Sequence, residues 1–163
     1  MSAADPVDVR NWLRLSDRVT TSGALGSDDP ARLAAIGTQR VIYLAMADHP
    51  EAVPDAAAAM ASAGMAYAHI PVPWDAPEES HYIAFRQALE SQDSPVHVHC
   101  IMNWRVAAFM YRWHQEQGMP EPEARAIMER VWSPTTSEEP HADKWARFIG
   151  LVPAETQQRR GET

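Results

Sequence analysis

Val96-His97-Val98-His99-Cys100-Ile101-Met102-Asn103-Trp104-Arg105 is the stretch that decides how this chain is read. Residues 96–99 alternate apolar and imidazole side chains after Pro95, the pattern of a short strand. Arg105 leads into Val106-Ala107-Ala108-Phe109-Met110-Tyr111-Arg112-Trp113, where apolar residues recur at helical spacing. The reading is strand, tight loop, helix. The chain's only cysteine, Cys100, stands at the strand end, and Arg105 falls in the first helical turn. A helix N-terminus turns unpaired N–H groups toward whatever lies before it. A thiol placed there loses its proton readily, and an anion placed there is held. A loop that wraps an anion needs a residue at positive φ, for which glycine is best and asparagine the usual substitute; Asn103 stands where one is wanted. Arg105 adds a planar, two-pronged donor for an oxyanion.

The same alternation runs outward from this stretch. Trp12 to Leu15 and Val19 to Ser22 read as short strands. Asp28-Asp29-Pro30 marks a helix start and Gly37 its stop. Arg40 to Met46 is an almost unbroken apolar run, as expected of a strand buried on both faces of a parallel sheet. A helix is expected from Glu51 to Ala63, a strand from Ala66 to Val72 and an amphipathic helix from Pro77 to Ser91. After the helix at 105–117, further helices are expected at 121–132 and 141–149. Alternating strands and helices predict an α/β fold with a mostly parallel central sheet flanked by helices. The expected organisation is a flexible lead-in at 1–10, one domain at 11–153 and a flexible polar tail at 154–163. Ligands in such sheets bind beyond the carboxyl ends of the strands. That rule brings Cys100 and Asp75, three residues past Val72, to one rim.

Composition narrows the function classes. With 163 residues, 45% hydrophobic and 22% charged, the chain has the makeup of one ordinary globular domain. A net charge of −8 argues against a general nucleic-acid or membrane-surface binder. Lys144 is the only lysine and sits far from the loop, so Schiff-base chemistry is set aside. A single cysteine excludes an internal disulfide framework. It suits the cytoplasm, as does an N-terminus (Met1 to Pro6) without a basic region followed by an apolar run. His97 and Cys100 could suggest zinc, but neither His69 nor His81 has the spacing to complete a site. No metal and no cofactor are expected.

The ordered segments resemble a known family. His99-Cys100-Ile101-Met102-Asn103-Trp104-Arg105 resembles the phosphate-binding loop of cysteine-dependent protein tyrosine and dual-specificity phosphatases. The closer likeness is to a bacterial branch found beside or fused to β-lactamase-like hydrolase domains. Its marks here are Thr21-Ser22-Gly23, Val41-Ile42-Tyr43-Leu44, and Gly64-Met65-Ala66-Tyr67-Ala68-His69-Ile70-Pro71-Val72. The likeness spans roughly residues 11 to 115. It implies a protein-tyrosine-phosphatase-like three-layer fold and hydrolysis of phosphate monoesters through a phosphocysteine. By that resemblance Cys100 is the nucleophile, and Arg105 with the amides of Ile101, Met102, Asn103 and Trp104 binds the phosphoryl group. His99 holds the loop and helps keep the thiol ionised, and Asp75 in Pro73-Trp74-Asp75 is the general acid. Asp75 could instead cap a helix, with Glu78 completing a capping box. The implied partner is a phosphorylated small molecule or a phosphoprotein, not nucleic acid or membrane; the oligomeric state stays open.

Two features keep other readings in play. Four residues separate Cys100 from Arg105 where most such phosphatases have five, and Val106 stands where they carry Ser or Thr. Four is also the spacing of rhodanese-type sulfurtransferases, which carry a cysteine persulfide. A phosphatase fold that binds an anion with little turnover is the third reading.

Overall fold

The computed structural model describes residues 3–151. Its elements, in chain order, are β1 (Leu13–Arg14), β2 (Val19–Ser22), α1 (Asp29–Ala35), β3 (Arg40–Tyr43), α2 (Ala56–Ser62), β4 (Ala66–His69), α3 (Glu79–Glu90), β5 (Val96–His99), α4 (Trp104–Glu116), α5 (Glu121–Glu129) and α6 (Ala142–Phe148). The sheet order is β1-β2-β5-β3-β4. β5 lies at its centre, parallel to β2 and β3, and β1 is antiparallel to β2. Ser22 and Tyr43 are both in register with His99. The carboxyl ends of three parallel strands therefore coincide where Cys100 follows β5.

Alternate strand residues feed two helical layers, as a period of two requires. Ile42 and Val98 join the larger core with Phe85, Phe109 and Trp145, from α3, α4 and α6. Val41 packs in a smaller core with Leu33 of α1 and Met60 of α2. The result is a three-layer α/β architecture.

Several boundaries are shorter than periodicity predicts, each for a local reason. β4 stops at His69 because its partner β3 ends at Tyr43; Pro71 and Pro73 then offer no ladder N–H. α2 begins at Ala56, after Pro54 and a left-handed Asp55 with φ 46°. α3 begins at Glu79, not Pro77. α5 ends at Glu129, short of Trp132. Asp28 is the N-cap of α1, but its side chain makes no capping bond; Asp29 instead accepts the Gly26 N–H at 2.6 Å. Near the N-terminus, Arg14 pairs with Asp5, and Gly23 N–H donates to Arg10 O at 2.7 Å. The expected tail at 154–163 lies outside the described residues.

Candidate active site

The loop after β5 hangs from the end of β2 and from the segment before β1. Cys100 N–H donates to Ser22 O (3.3 Å), and Ala24 N–H donates to Ile101 O (2.8 Å). Asn11 Nδ2 donates to Met102 O (2.9 Å), and Asn103 Nδ2 returns a bond to Asn11 O (2.8 Å) and reaches Thr21 Oγ1 (3.1 Å). Asn103 has φ 67°, the left-handed conformation its residue type predicts, and is the N-cap of α4. Among the described residues, the N–H groups of 101–105 donate to no protein acceptor. Unpaired donors this close to a buried thiol are kept only where something else satisfies them.

Arg105 is nearly buried, at 9% exposure. Its Nε donates to Val72 O at 2.8 Å, and its guanidinium lies 5.2 Å from the centre of the Trp74 ring. Burial pulls its pKa down, and the neighbouring Cys100 and Tyr43 oppose that pull by favouring the cation. The loop after β4 thus fixes the arginine from behind while its charge stays beside Cys100.

A cavity of about 230 Å³ opens over the loop. Cys100, Ile101, Met102, Trp104 and Arg105 line it, joined by His49, Trp74 and Glu139 from distant segments. Trp74 is the hinge of the arrangement. It lies 5.1–5.7 Å, centre to centre, from Trp104, Trp132 and Trp145, and Trp104 stacks on Trp132 at 5.1 Å. Trp74 Nε1 donates to Glu139 Oε1 (2.8 Å), and Trp145 Nε1 donates to Trp74 O (2.8 Å).

The structure brings Cys100, the 101–104 loop and Arg105 together. It does not bring Asp75 with them. Asp75 is exposed and outside the cavity lining, and its carbonyl accepts from Lys144 Nζ at 2.9 Å. Nor does it cap α3: Glu78 is the N-cap and His81 its capping-box partner. His49 and Glu139 escape sequence reading because both lie in irregular segments with no periodicity. Trp74 had a signal, since it sits in the Pro73-Trp74-Asp75 segment.

His99 is buried behind the loop and stacks on Tyr43 at 4.7 Å. Neither ring nitrogen has a hydrogen bond of good geometry, although the Cys100 and Gly23 backbones lie close enough to oppose part of the effect of burial. Burial dominates and pushes its pKa down to about 3. A neutral ring lends the thiol no positive charge; the positive groups facing it are Arg105 and the free amides. His97, also buried, sits between Thr20 Oγ1 at Nδ1 and Ser22 Oγ at Nε2, both 2.8 Å. Ser22 gives its proton to Gly23 O, so it accepts from Nε2–H and Nδ1 accepts from Thr20. Burial holds His97 well below the usual histidine range.

Two histidines kept neutral make the fold acid-sensitive. Below their unfolded pKa of about 6.5, the unfolded chain binds protons that the folded one does not. Stability therefore falls as pH drops, and continues falling toward pH 3 for His99. The expected loss between pH 7 and pH 5 is about 2 kcal/mol per histidine, before any carboxylate contribution. Urea unfolding at the two pH values measures it, and equal stability at both would contradict a neutral buried pair.

Among the described residues, no group of three or more His, Cys, Asp or Glu could hold a metal ion, and no helix is long and apolar enough to cross a membrane. Residues 11–119 match the family model described as "Beta-lactamase hydrolase-like protein, phosphatase-like domain". No curated protein matches the chain. Among solved structures, a candidate phosphatase (DUF442) from Shewanella putrefaciens is 26% identical, with a TM-score of 0.74 over 90% of this chain and 91% of that one. Pseudomonas aeruginosa TpbA, as a Cys-to-Ser variant in complex with phosphotyrosine, is 16% identical, with a TM-score of 0.67 over 98% and 93%. The core catalytic domain of the PP-IP phosphatase SIW14 from S. cerevisiae, in complex with citrate, is 12% identical, with a TM-score of 0.68 over 94% and 92%. The fold is that of the protein-tyrosine-phosphatase-like enzymes.

Proposed function

This chain belongs to the phosphatase-like domain family of the beta-lactamase hydrolase-like proteins, and on that premise we propose that it hydrolyses phosphate monoesters with Cys100 as nucleophile. The supporting observation is the set of unpartnered N–H groups at 101–105, beside a buried Arg105 and next to Cys100. The thiolate attacks phosphorus; an S–P bond forms as the ester P–O bond breaks. The phosphoryl oxygens rest on Arg105 and on the amides of Ile101, Met102, Asn103 and Trp104. Water then displaces the thiolate and releases inorganic phosphate. His99 acts on this reading as a neutral prop for the loop.

The cavity favours one phosphate on an aromatic group. Among the described residues Arg105 is the only arginine or lysine in its lining, Glu139 is an acid, and two indoles contribute to its apolar surface. A polyphosphate would need several more cations. The indoles suit a phenyl ring, and phosphotyrosine is the ligand seen with the TpbA variant.

The test is an acid quench after mixing with an aryl phosphate, followed by mass spectrometry of the Cys100 peptide. The expected result is a phosphorylated Cys100 that Cys100→Ser cannot form. Sulfur transfer from thiosulfate to cyanide without ester hydrolysis would assign the persulfide chemistry instead. Phosphate binding with neither reaction would leave an anion-binding module.

A further inference from the structure

The cavity holds a carboxyl group for which no role has yet been given. Glu139 lies between α5 and α6, far from the loop in sequence, yet lines the same cavity as Cys100 and Arg105. It is held on both backbone and side chain. Its N–H donates to Ser137 Oγ (3.2 Å), its carbonyl accepts from Ala142 N–H (3.0 Å), and its Oε1 accepts from Trp74 Nε1 (2.8 Å). Among the described residues, Oε2 has no partner. A carboxylic acid has one oxygen to accept a hydrogen bond and one O–H to donate. The indole occupies Oε1, and Oε2 is left without a protein partner among the described residues.

Resting on the phosphatase reading above, we infer that Glu139, not Asp75, is the general acid that protonates the leaving oxygen. Only two other groups come into question. Asp75 is exposed and outside the lining. His49 lines the cavity, but its Nδ1 accepts the Glu51 N–H at 3.0 Å, which ties that face of the ring to its own turn. An anionic ester held by Arg105 disfavours a second negative charge beside it. As Cys100 Sγ bonds to phosphorus and the P–O bond breaks, the O–H of Glu139 passes its proton to the departing oxygen. In the second half the resulting carboxylate takes a proton from the water that attacks phosphocysteine. The S–P bond breaks, the thiolate is restored and the acid is reloaded. Val106, in place of a hydroxyl residue after Arg105, leaves that water to the carboxylate.

The experiment compares wild type, Glu139→Gln, Asp75→Asn and His49→Gln on two esters. Phenyl phosphate has a poor leaving group and needs the proton; dinitrophenyl phosphate has a good one and does not. Gln keeps the oxygen that accepts from Trp74 but has no proton to give. The expected result is that Glu139→Gln loses roughly a hundredfold or more in kcat on phenyl phosphate. On dinitrophenyl phosphate it stays within a few fold of wild type. A purely structural Glu139 would lower both esters together, and that outcome overturns the inference. So does an unchanged Glu139→Gln, or the leaving-group-selective loss appearing in Asp75→Asn or His49→Gln. Absence of any Cys100-dependent turnover in wild type is a different failure, which removes the phosphatase reading itself and this inference with it.

Discussion

Cys100→Ser should end turnover while leaving the anion loop intact. The hydroxyl fits the volume left by the thiol, but at neutral pH it does not ionise to replace a thiolate nucleophile. Loss of a covalent nucleophile is expected to lower kcat by roughly 10⁴- to 10⁶-fold. The loop's contacts to Ser22, Ala24, Asn11 and Thr21 do not involve the sulfur, so the fold and the free amides persist. The serine hydroxyl is uncharged and close to the thiol in size, so it adds neither charge nor bulk to the loop. Inorganic phosphate should therefore bind the variant at least as well as wild type, read as an upward shift in Tm with phosphate concentration. A variant that keeps more than one hundredth of the rate would show that Cys100 does not carry the reaction.

Gly23→Ala, far from Cys100 in sequence, should disable the site by moving the loop. An alanine Cβ at this position would sit 2.4 Å from Ile101 O and 3.1 Å from Ile101 C, both backbone atoms. Ile101 O is already fixed by the Ala24 N–H, so the loop cannot retreat without losing that bond. The overpacking should cost about 1–3 kcal/mol of stability. A displacement of about 1 Å in the loop amides should lower kcat/KM about a hundredfold. Gly26→Ala is the control: the nearest atom to its added Cβ is Asp29 Oδ2, at 3.4 Å. If Gly23→Ala works within about threefold of wild type, the close approach of β2 to the loop does not set the site.

The architecture was legible because buried parallel strands and amphipathic helices alternate with clear periods. Arg40 to Tyr43 and Val96 to His99 fall where their apolar patterns predict. The geometry of the loop after β5 was legible because it is local: Cys100, the positive-φ Asn103 and Arg105 lie within six consecutive residues. What lay beyond reach was contact between segments. Trp74, Trp104, Trp132 and Trp145 gather by tertiary packing alone, and Trp74 holds Glu139 at the cavity's edge. Asp75, expected on the same rim, lies outside the cavity lining for the same reason. The rule that strand ends share a rim positions a backbone, but it does not orient a side chain at a proline-flanked turn. His99 shows a further limit, since the sequence cannot tell that its ring is fully enclosed and therefore uncharged.

The gathered indoles have an optical consequence. Four of the chain's six tryptophans have ring centres within 5.1–5.7 Å of a neighbour in the set. At that separation the rings are close enough to exchange excitation energy, so a change at one of them is expected to alter the emission of the set. The Arg105 cation leans on a member of that set, and Glu139 holds the N–H of the same ring. An anion drawn onto the arginine changes the field across that indole. Phosphate added to unlabelled protein is therefore expected to shift its tryptophan emission.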